Sequence, residues 1–209
     1  ELGCRFFLEP QRSPDAGVFC DMRGLRQWLQ PYWKDKQILN LFCFTGAFSV
    51  HALSHGAEHV TSVDLSGSYL SWLDDNLELN DLDKSQHEGI ESDALKALDR
   101  LRRKGQMFDV VLADPPSFSH SSSGTWSVQN DLARLVNGML RVLKPNGMLI
   151  LASNHGKLSP KQFSKAILDA SRKVSRRLRL VYVHQPGPDV PALLAFPSSR
   201  YLKCWVLQG

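Results

Sequence analysis

The sequence has few cysteines and no long apolar run, and both absences narrow the classes of protein to which it can belong. Its four cysteines show no CxxC spacing and no histidine cluster beside them, so the residues favour neither a zinc site nor a disulfide framework and indicate a reduced, cytoplasmic protein. No apolar run approaches the ~18 residues that a membrane helix needs, and no charged-then-apolar leader opens the chain. We therefore expect a soluble protein without a membrane or metal partner.

What the sequence does contain is ordinary globular composition. Its 209 residues are 43% hydrophobic and 22% charged, which excludes a disordered, collagen-like or coiled-coil chain. A net charge of +4 is a milder basic bias than that of a dedicated nucleic-acid-binding domain. Basic residues crowd at 100–104 and 172–179, which indicates either solvated helix ends or contact with a polyanion.

Short apolar strand patterns alternate with helical patterns from residue 37 onward. The predicted strands are 37–44, 59–65, 87–92, 108–113, 148–152, 178–184 and 201–207, and the predicted helices are 47–55, 68–79, 94–104, 128–143 and one after Ser159-Pro160. This alternation predicts an α/β Rossmann-like fold with a mostly parallel sheet and helices on both faces. Because no helix separates the last two strands, we expect the final strand to be antiparallel.

The loop after the first predicted strand contains a single glycine, in Phe44-Thr45-Gly46. A dinucleotide-binding fold would need GxGxxG at this place, because a pyrophosphate must lie against bare backbone at the helix N-terminus. One glycine suffices for a nucleoside ligand without phosphates, and it also fits a simple tight turn between strand and helix. Since ligands of open parallel sheets bind at the carboxyl ends of the strands, this loop is a candidate binding element.

Acidic residues end the second and third predicted strands. Asp64, followed by Leu65 and Ser66, comes 18 residues after that glycine, near the ~20 expected for an acid that binds ribose hydroxyls. Capping of the next helix is an equally good interpretation of Asp64. Asp93, followed by Ala94, could accept a hydrogen bond from an adenine amino group, although a helix N-cap is the competing interpretation.

The most specific motif follows the fourth predicted strand, in Asp114, Pro115, Pro116, Ser117 and Phe118. Two prolines remove two backbone donors and fix φ, and the residue before a proline is held extended. The Asp114 carboxylate is therefore expected to point into the cleft as a rigid acceptor. Phe118 offers a flat face on which an extruded base could stack. The competing interpretation is a Pro-Pro turn with a buried phenylalanine.

Together these motifs resemble the class I S-adenosylmethionine-dependent methyltransferases. The resemblance is carried by LNLFCFTGAFSVHAL, VDLS, SDAL and FDVVLADPPSFS, and it extends from the opening ExGxRF to the ending FPSSRYLKCW. More narrowly, the chain is similar to the bacterial large-subunit (23S) rRNA methyltransferases, of which one branch makes 5-methylcytosine and another 7-methylguanosine. The resemblance implies S-adenosylmethionine as cofactor, RNA as substrate and a seven-stranded sheet whose last strand is antiparallel.

The resemblance also implies a role for each residue at the strand ends. Phe44, Thr45 and Gly46 would lie under the methionine part of the cofactor, Asp64 with Leu65 and Ser66 would bind the ribose side, Asp93 with Ala94 would contact adenine, and Asp114 would lie beside the transferred methyl. Asp21 and Arg23 would brace the cofactor, so that residues 1–30 form an N-terminal extension to a methyltransferase domain of residues 31–209. Met22 departs from the glutamine usual in this brace, and we do not expect the family's extra RNA-binding module within these residues.

The acceptor atom is open among three chemistries. Carbon 5 of cytosine requires attack by a thiolate, yet the place where that branch carries its cysteine contains Ser153 and Asn154. An exocyclic amine needs acceptors such as Asp114, although the aromatic residue comes one position later than in the amine-modifying Asp-Pro-Pro-Tyr pattern. A guanine ring nitrogen needs only alignment, and Asn154 can contact a base edge as donor and acceptor.

We therefore predict methyl transfer to a guanine ring nitrogen of large-subunit rRNA by a monomer or homodimer. The predicted catalytic set is Asp114, Pro115, Pro116, Phe118 and Asn154. The helix at 161–177 and the loop at 119–126, either a lid or a plain surface loop, would face the RNA. The alternatives are another acceptor, namely cytosine in rRNA, DNA, protein or a small molecule, and a module that binds cofactor or RNA without turnover.

Overall fold

The central feature of the computed structural model is a seven-stranded sheet. The structure describes residues 1–10, 16–121, 124–196 and 200–209, without the side chains of 118–121, 124–126 and 129. The sheet strands are β1 (Gln37–Leu41), β2 (His59–Asp64), β3 (His87–Glu91), β4 (Phe108–Ala113), β7 (Leu143–Ser153), β8 (Arg179–His184) and β9 (Lys203–Gln208). Their order is β3-β2-β1-β4-β7-β9-β8. Two further strands, β5 (Phe118–Ser121) and β6 (Gly124–Ser127), form a separate antiparallel hairpin.

Six α-helices cover the two faces of the sheet. They are α1 (Arg23–Leu29), α2 (Ala47–Ser54), α3 (Gly67–Leu79), α4 (Ala94–Arg103), α5 (Val128–Val142) and α6 (Pro160–Lys173). None of the helices in the described part of the chain is long and apolar enough to cross a membrane. The Ser159 side chain and Gln162 form a capping box at the start of α6, which agrees with the start that Ser159-Pro160 predicts.

The strands are buried on both faces, which explains their nearly continuous apolar sequences. In β4, Val111 and Ala113 pack into the core shared with α4, α5 and α6. The alternate residues Val110 and Leu112 pack into the core shared with α1, α2 and α3. Successive side chains of β4 therefore point to opposite faces of the sheet and pack against two helical layers.

The strand directions confirm the predicted fold class. β1 pairs in parallel with β2 and β4, β2 with β3, and β4 with β7. The last strand, β9, lies between β7 and β8 and is antiparallel to both. Because the chain order reverses between β1 and β4, the crevice for a ligand is expected at the carboxyl ends of these two strands.

The structure differs from the sequence-based predictions mainly at element ends. β1 ends at Leu41 instead of Phe44, because Phe42 and Phe44 adopt positive φ values of 56° and 51° that an extended strand cannot contain. The loop predicted at 119–126 contains the β5–β6 hairpin. The fifth sheet strand begins at Leu143, earlier than the predicted 148. The division at residue 30 stays a prediction.

Candidate active site

A cavity of about 670 Å³ opens where the carboxyl ends of β1, β2 and β4 meet. Residues 17–26, the loop after β1, the ends of β2 and β4, and the loop after β7 all contribute to its lining. This volume is in the range of small-molecule sites. The cavity lies at the reversal of strand order, which is where the fold predicts a ligand-binding site.

The loop after β1 forms one wall of the cavity. Phe44 lines the cavity, and its ring contacts Phe19 at 5.3 Å and Tyr69 at 4.6 Å between centroids. Thr45 and Gly46 do not line it. The Thr45 hydroxyl is buried and donates to the carbonyl of Gly17, which ties the N-terminal segment to this loop. The predicted contact of these two residues with the cofactor stays a prediction.

Gly46 is required at its position for two independent reasons. Its φ is +79°, in the left-handed region that glycine occupies without penalty. A Cβ at this position would lie 2.2 Å from Cγ of Leu73 on α3. The single glycine of the loop therefore permits close packing of the loop on α3, and the structure gives it no phosphate-binding role.

Asp64 holds this wall in place and still has acceptor capacity. One carboxylate oxygen accepts from the backbone N–H of Phe44 and the other from that of Ser66, each at 3.0 Å. A carboxylate oxygen has two lone pairs, so each oxygen can accept one further hydrogen bond from a ligand hydroxyl. Burial raises the pKa of Asp64, while the backbone N–H groups oppose this shift. Leu65 and Ser66 line the cavity beside it.

Asp93 and Ala94 lie outside the lining of the cavity. One oxygen of the Asp93 carboxylate accepts from the backbone N–H groups of Leu95 and Lys96, both at 3.0 Å. The side chain is thus engaged as the N-cap of α4, the competing interpretation of the sequence. Contact between Asp93 and an adenine stays a prediction.

Asp114 is half-buried at the cavity, beside a second carboxyl group. Burial together with the charge of Asp21 raises the pKa of Asp114 to about 7, although the Arg26 guanidinium opposes the shift. The Tyr201 hydroxyl donates to the Asp21 carboxylate at 2.7 Å. Desolvation and this hydrogen bond raise the pKa of Tyr201 to about 12, so the tyrosine keeps the proton that it donates. Asp114 therefore changes charge near neutral pH.

Arg26 supplies the buried guanidinium that braces the N-terminal segment. It is 1% exposed, and it donates to both carboxylate oxygens of Glu1 at 2.6 and 3.0 Å and to the carbonyl of Phe19 at 2.9 Å. Arg23, the arginine predicted for this role, instead pairs with Asp189 at 3.1 Å near the surface and does not line the cavity. Asp21 and Arg26 both line the cavity, and the bracing role of Asp21 and Arg23 stays a prediction.

The opposite rim joins the Pro-Pro turn to the end of β7. Pro115, Pro116, Ser117 and Asn154 all line the cavity. The Ser117 hydroxyl donates to the Asn154 side-chain oxygen at 3.0 Å. One lone pair of its oxygen is so engaged, and Asn154 keeps two N–H donors and a second lone pair for a ligand. The side chain of Phe118 lies outside the described residues, so its predicted stacking role stays a prediction.

Cys43 is the one cysteine among the described lining residues. Burial, with a contribution from the Asp64 charge, raises the pKa of its thiol well above the usual value. The thiolate is the reactive form of cysteine. Cys43 therefore lacks the electrostatic setting of a nucleophile and packs in the core shared with α1, α2 and α3.

Sequence reasoning missed several lining residues, including Phe19, Asn40 and Tyr69. Asn40 is 2% exposed and donates to the Ser49 hydroxyl at 2.9 Å. A polar residue within the apolar run QILNLF was the available signal for it. Phe19 and Tyr69 reach the cavity only through tertiary packing on Phe44, for which the sequence carries no periodic signal.

Comparison with known proteins identifies the family of the chain. A family profile described as S-adenosylmethionine-dependent methyltransferase matches residues 1–195. Ribosomal RNA large subunit methyltransferase I of Enterobacter sp. (strain 638) is 34% identical over 206 residues, 97% of this chain and 51% of that protein. Ribosomal RNA large subunit methyltransferase K/L of Hahella chejuensis is 40% identical over 157 residues, 74% of this chain and 21% of that protein.

A solved structure of SMU.776 with bound SAH superposes with a TM-score of 0.87 and 31% sequence identity, and covers 92% of this chain and 50% of that one. The chain thus spans about half the length of the relatives that match nearly all of it. The profile match covers the N-terminal segment and the strands β1, β2 and β4, at whose ends the cavity lies. The chain belongs to the S-adenosylmethionine-dependent methyltransferases.

Proposed function

We propose that the chain transfers a methyl group from S-adenosylmethionine to a guanine ring nitrogen of large-subunit rRNA in the cytoplasm. The relatives named as rRNA large subunit methyltransferases I and K/L support the substrate class. The choice of atom rests on the rim of the cavity, where Asp114, Ser117 and Asn154 present fixed polar groups. In addition, the described lining offers no thiolate.

The lining fits S-adenosylmethionine. Asp64 retains acceptor capacity for a ribose diol, and the contacting rings of Phe19, Phe44 and Tyr69 give an apolar wall suited to a nucleoside. Arg26, the one cation among the described lining residues, is neutralised by Glu1. A cavity of this kind suits a ligand without phosphates. When bound, this cofactor supplies an electrophilic methyl group on a positively charged sulfur.

Asp114 contributes through charge. Methyl transfer to a ring nitrogen moves positive charge from the sulfur toward the base, and a carboxylate fixed beside the reacting atoms stabilises that charge without reorganising. The unmethylated ring nitrogen carries no proton, so the reaction needs no general base. Asn154, with its oxygen held by Ser117, can donate to an oxygen on the base edge and fix its orientation.

Methylation of cytosine carbon 5 is disfavoured by the state of Cys43. That reaction needs a thiolate that adds to the ring, and burial keeps the Cys43 thiol protonated. Methylation of an exocyclic amine is the second candidate, since the ionised Asp114 can accept a hydrogen bond from an amine. The two nitrogen acceptors give different products, which one experiment separates.

Product identity tests the proposal. The protein is incubated with radiolabelled S-adenosylmethionine and large-subunit rRNA from cells in which its gene is deleted, and the digested nucleosides are then separated and identified by mass. We expect the label in 7-methylguanosine. Label in 5-methylcytosine would overturn the chemistry proposed here, and label in an amine-methylated base would select the second candidate. Label in protein or metabolites, with none in the RNA, would overturn the proposed substrate class.

The titration of Asp114 predicts a pH dependence. Because its pKa in the free protein is raised to about 7, the ionised form that stabilises positive charge forms as the pH rises through neutrality. We expect kcat/KM to rise across about pH 6 to 8 and then level off, since this parameter reports groups of the free enzyme. The profile of Asp114→Asn should lose this rise. A profile that keeps the same midpoint in the variant would assign the titration to another group.

A further inference from the structure

A second concave surface lies outside the catalytic cavity, between α4 and α5. It encloses about 350 Å³ and is lined by three arginines, Arg102, Arg134 and Arg141, together with Leu95, Leu98, Asp99, Asn137 and Gly138. We call it the arginine groove. None of these residues lines the catalytic cavity, so the proposed methyl transfer does not account for them.

The groove arises from a close approach of the two helices. A Cβ at Gly138 of α5 would lie 2.9 Å from Cδ1 of Leu98 on α4, so glycine at this position lets the helices pack tightly. Leu98 is buried in the core, whereas the longer arginine side chains stand at the exposed rim. An apolar floor between charged walls favours a ligand that lies along the helices.

The direction of the helices connects the groove to the active site. α4 follows the carboxyl end of β3, and α5 follows the β5–β6 hairpin that begins just after the Pro-Pro turn. Both helices cross between parallel strands, so both run from the catalytic edge of the sheet toward its other edge. Arg102 and Arg141 stand in the last turns of α4 and α5, away from the catalytic edge, so an RNA that occupies both the cavity and the groove must extend along the helices.

The charges of the groove are only partly compensated within the protein. Asp99 is its one carboxylate and lies 3.8 Å from Nε of Arg102. Nε of Arg141 donates to the Asn137 side-chain oxygen at 2.9 Å, a contact that orients the guanidinium without neutralising it. Arg134 forms no ion pair with any carboxylate in the described part of the chain. The groove thus carries a surplus of two positive charges.

The spacing of the arginines favours an extended anion. Arg134 and Arg141 are two helical turns apart, which corresponds to a rise of about 10 Å along α5. Arginines at this spacing can contact successive phosphates of a chain. Guanidinium groups pair with phosphate oxygens through two parallel hydrogen bonds. The chemistry of the groove therefore fits a polyphosphodiester.

We propose that the arginine groove binds the phosphodiester backbone of the RNA substrate at a distance from the methylated base. This inference rests on the proposed function and extends it by a second contact surface. Arg134 and Arg141 hold successive parts of the backbone, and Arg102 closes the other wall. These contacts add affinity and fix the register of the RNA, while the cavity selects the base.

The test compares wild type with an Arg134→Ala/Arg141→Ala double variant and with Arg103→Ala. Arg103 is an exposed arginine on α4 that does not line the groove, so it is the matched control. Binding to protein-free large-subunit rRNA is measured by filter retention at several salt concentrations, and methyl transfer is measured on the same RNA. Removing one arginine that pairs with a phosphate should make the slope of log K against log salt shallower by about 0.7 to 0.9.

We expect the double variant to bind RNA more weakly with the reduced slope, and to show a raised KM for RNA with unchanged kcat and unchanged affinity for SAH. An unchanged slope would overturn the proposal, as would an equally weakened affinity in Arg103→Ala, which indicates diffuse attraction. If wild type methylates no RNA, the proposed function fails. If wild type methylates RNA and the double variant binds it normally, only the groove proposal fails.

Discussion

Asp114→Asn is expected to slow methyl transfer by about 10²- to 10³-fold, the loss typical when one preorganised electrostatic partner of a transition state is removed. The substitution keeps the shape of the side chain and removes its charge. The acceptor base therefore gains positive charge without a compensating carboxylate. The decrease should be seen in the rate constant for methyl transfer in single-turnover assays at about pH 8. At this pH the native carboxyl group, with a pKa of about 7, is ionised.

The same variant should fold and bind SAH normally. SAH lacks the positive charge on sulfur, so its affinity depends little on Asp114. The folded-state pKa of Asp114 lies above that of a free aspartate, which means that folding disfavours the charged form and that stability falls as the pH rises between these two values. At about pH 8 the neutral asparagine should therefore melt at the same temperature as wild type or higher. Full activity in this variant would reduce Asp114 to a structural role.

Asp64→Ala is expected to weaken the binding of S-adenosylmethionine by about 1.5 to 3 kcal/mol, the range for hydrogen bonds to charged groups, or roughly 10- to 150-fold in Kd. The substitution removes the acceptors for the ribose. It also leaves the backbone N–H groups of Phe44 and Ser66 without their partner, which loosens the wall of the cavity. Calorimetric titration with S-adenosylmethionine measures the change in affinity, and thermal unfolding measures the second effect.

Two matched variants separate these contributions. Asp64→Asn keeps one oxygen for a backbone N–H group and removes the charge, so it should retain more stability than Asp64→Ala but bind the cofactor weakly. Asp93→Ala removes a carboxylate at the next strand end that caps α4 and lies outside the cavity. It should lower stability by about 0.5 to 2 kcal/mol with unchanged affinity. A weakened affinity in Asp93→Ala would support the predicted adenine contact, and wild-type affinity in Asp64→Ala would remove Asp64 from the site.

The sheet was predictable from the sequence because its strands are short apolar runs separated by helical periods. The bounds predicted for β4 match the structure at both ends, since FDVVLA is apolar and flanked by a glycine-containing turn and two prolines. The hairpin of β5 and β6 was missed because its sequence is polar and rich in serine, a composition typical of loops. Its two strands pair in the structure, although their sequence has no alternating apolar pattern that would predict them.

The cavity was predictable where a residue ends a strand and less so where a residue depends on packing. Asp64 and Asp114 line it as the strand-end rule predicts. Arg26 could not be distinguished from Arg23, because both lie on α1 and only the tertiary structure buries the first against Glu1. Thr45 and Gly46 lie in the predicted loop but not in the lining of the cavity, because the Thr45 hydroxyl bonds to Gly17 and Gly46 packs closely on Leu73.

The insertion of β9 between β7 and β8 also constrains the order in which a nascent chain can assemble. Within the sheet, β8 pairs only with β9, so it cannot dock until residues 203–208 have been translated. Tyr201 and Leu202, which complete the brace and the lining of the cavity, emerge at the same stage. Because the N-terminal segment is synthesised first, the ligand should bind only late in biogenesis. Until then β8 is unpaired, and it is the segment that chaperones are best placed to protect.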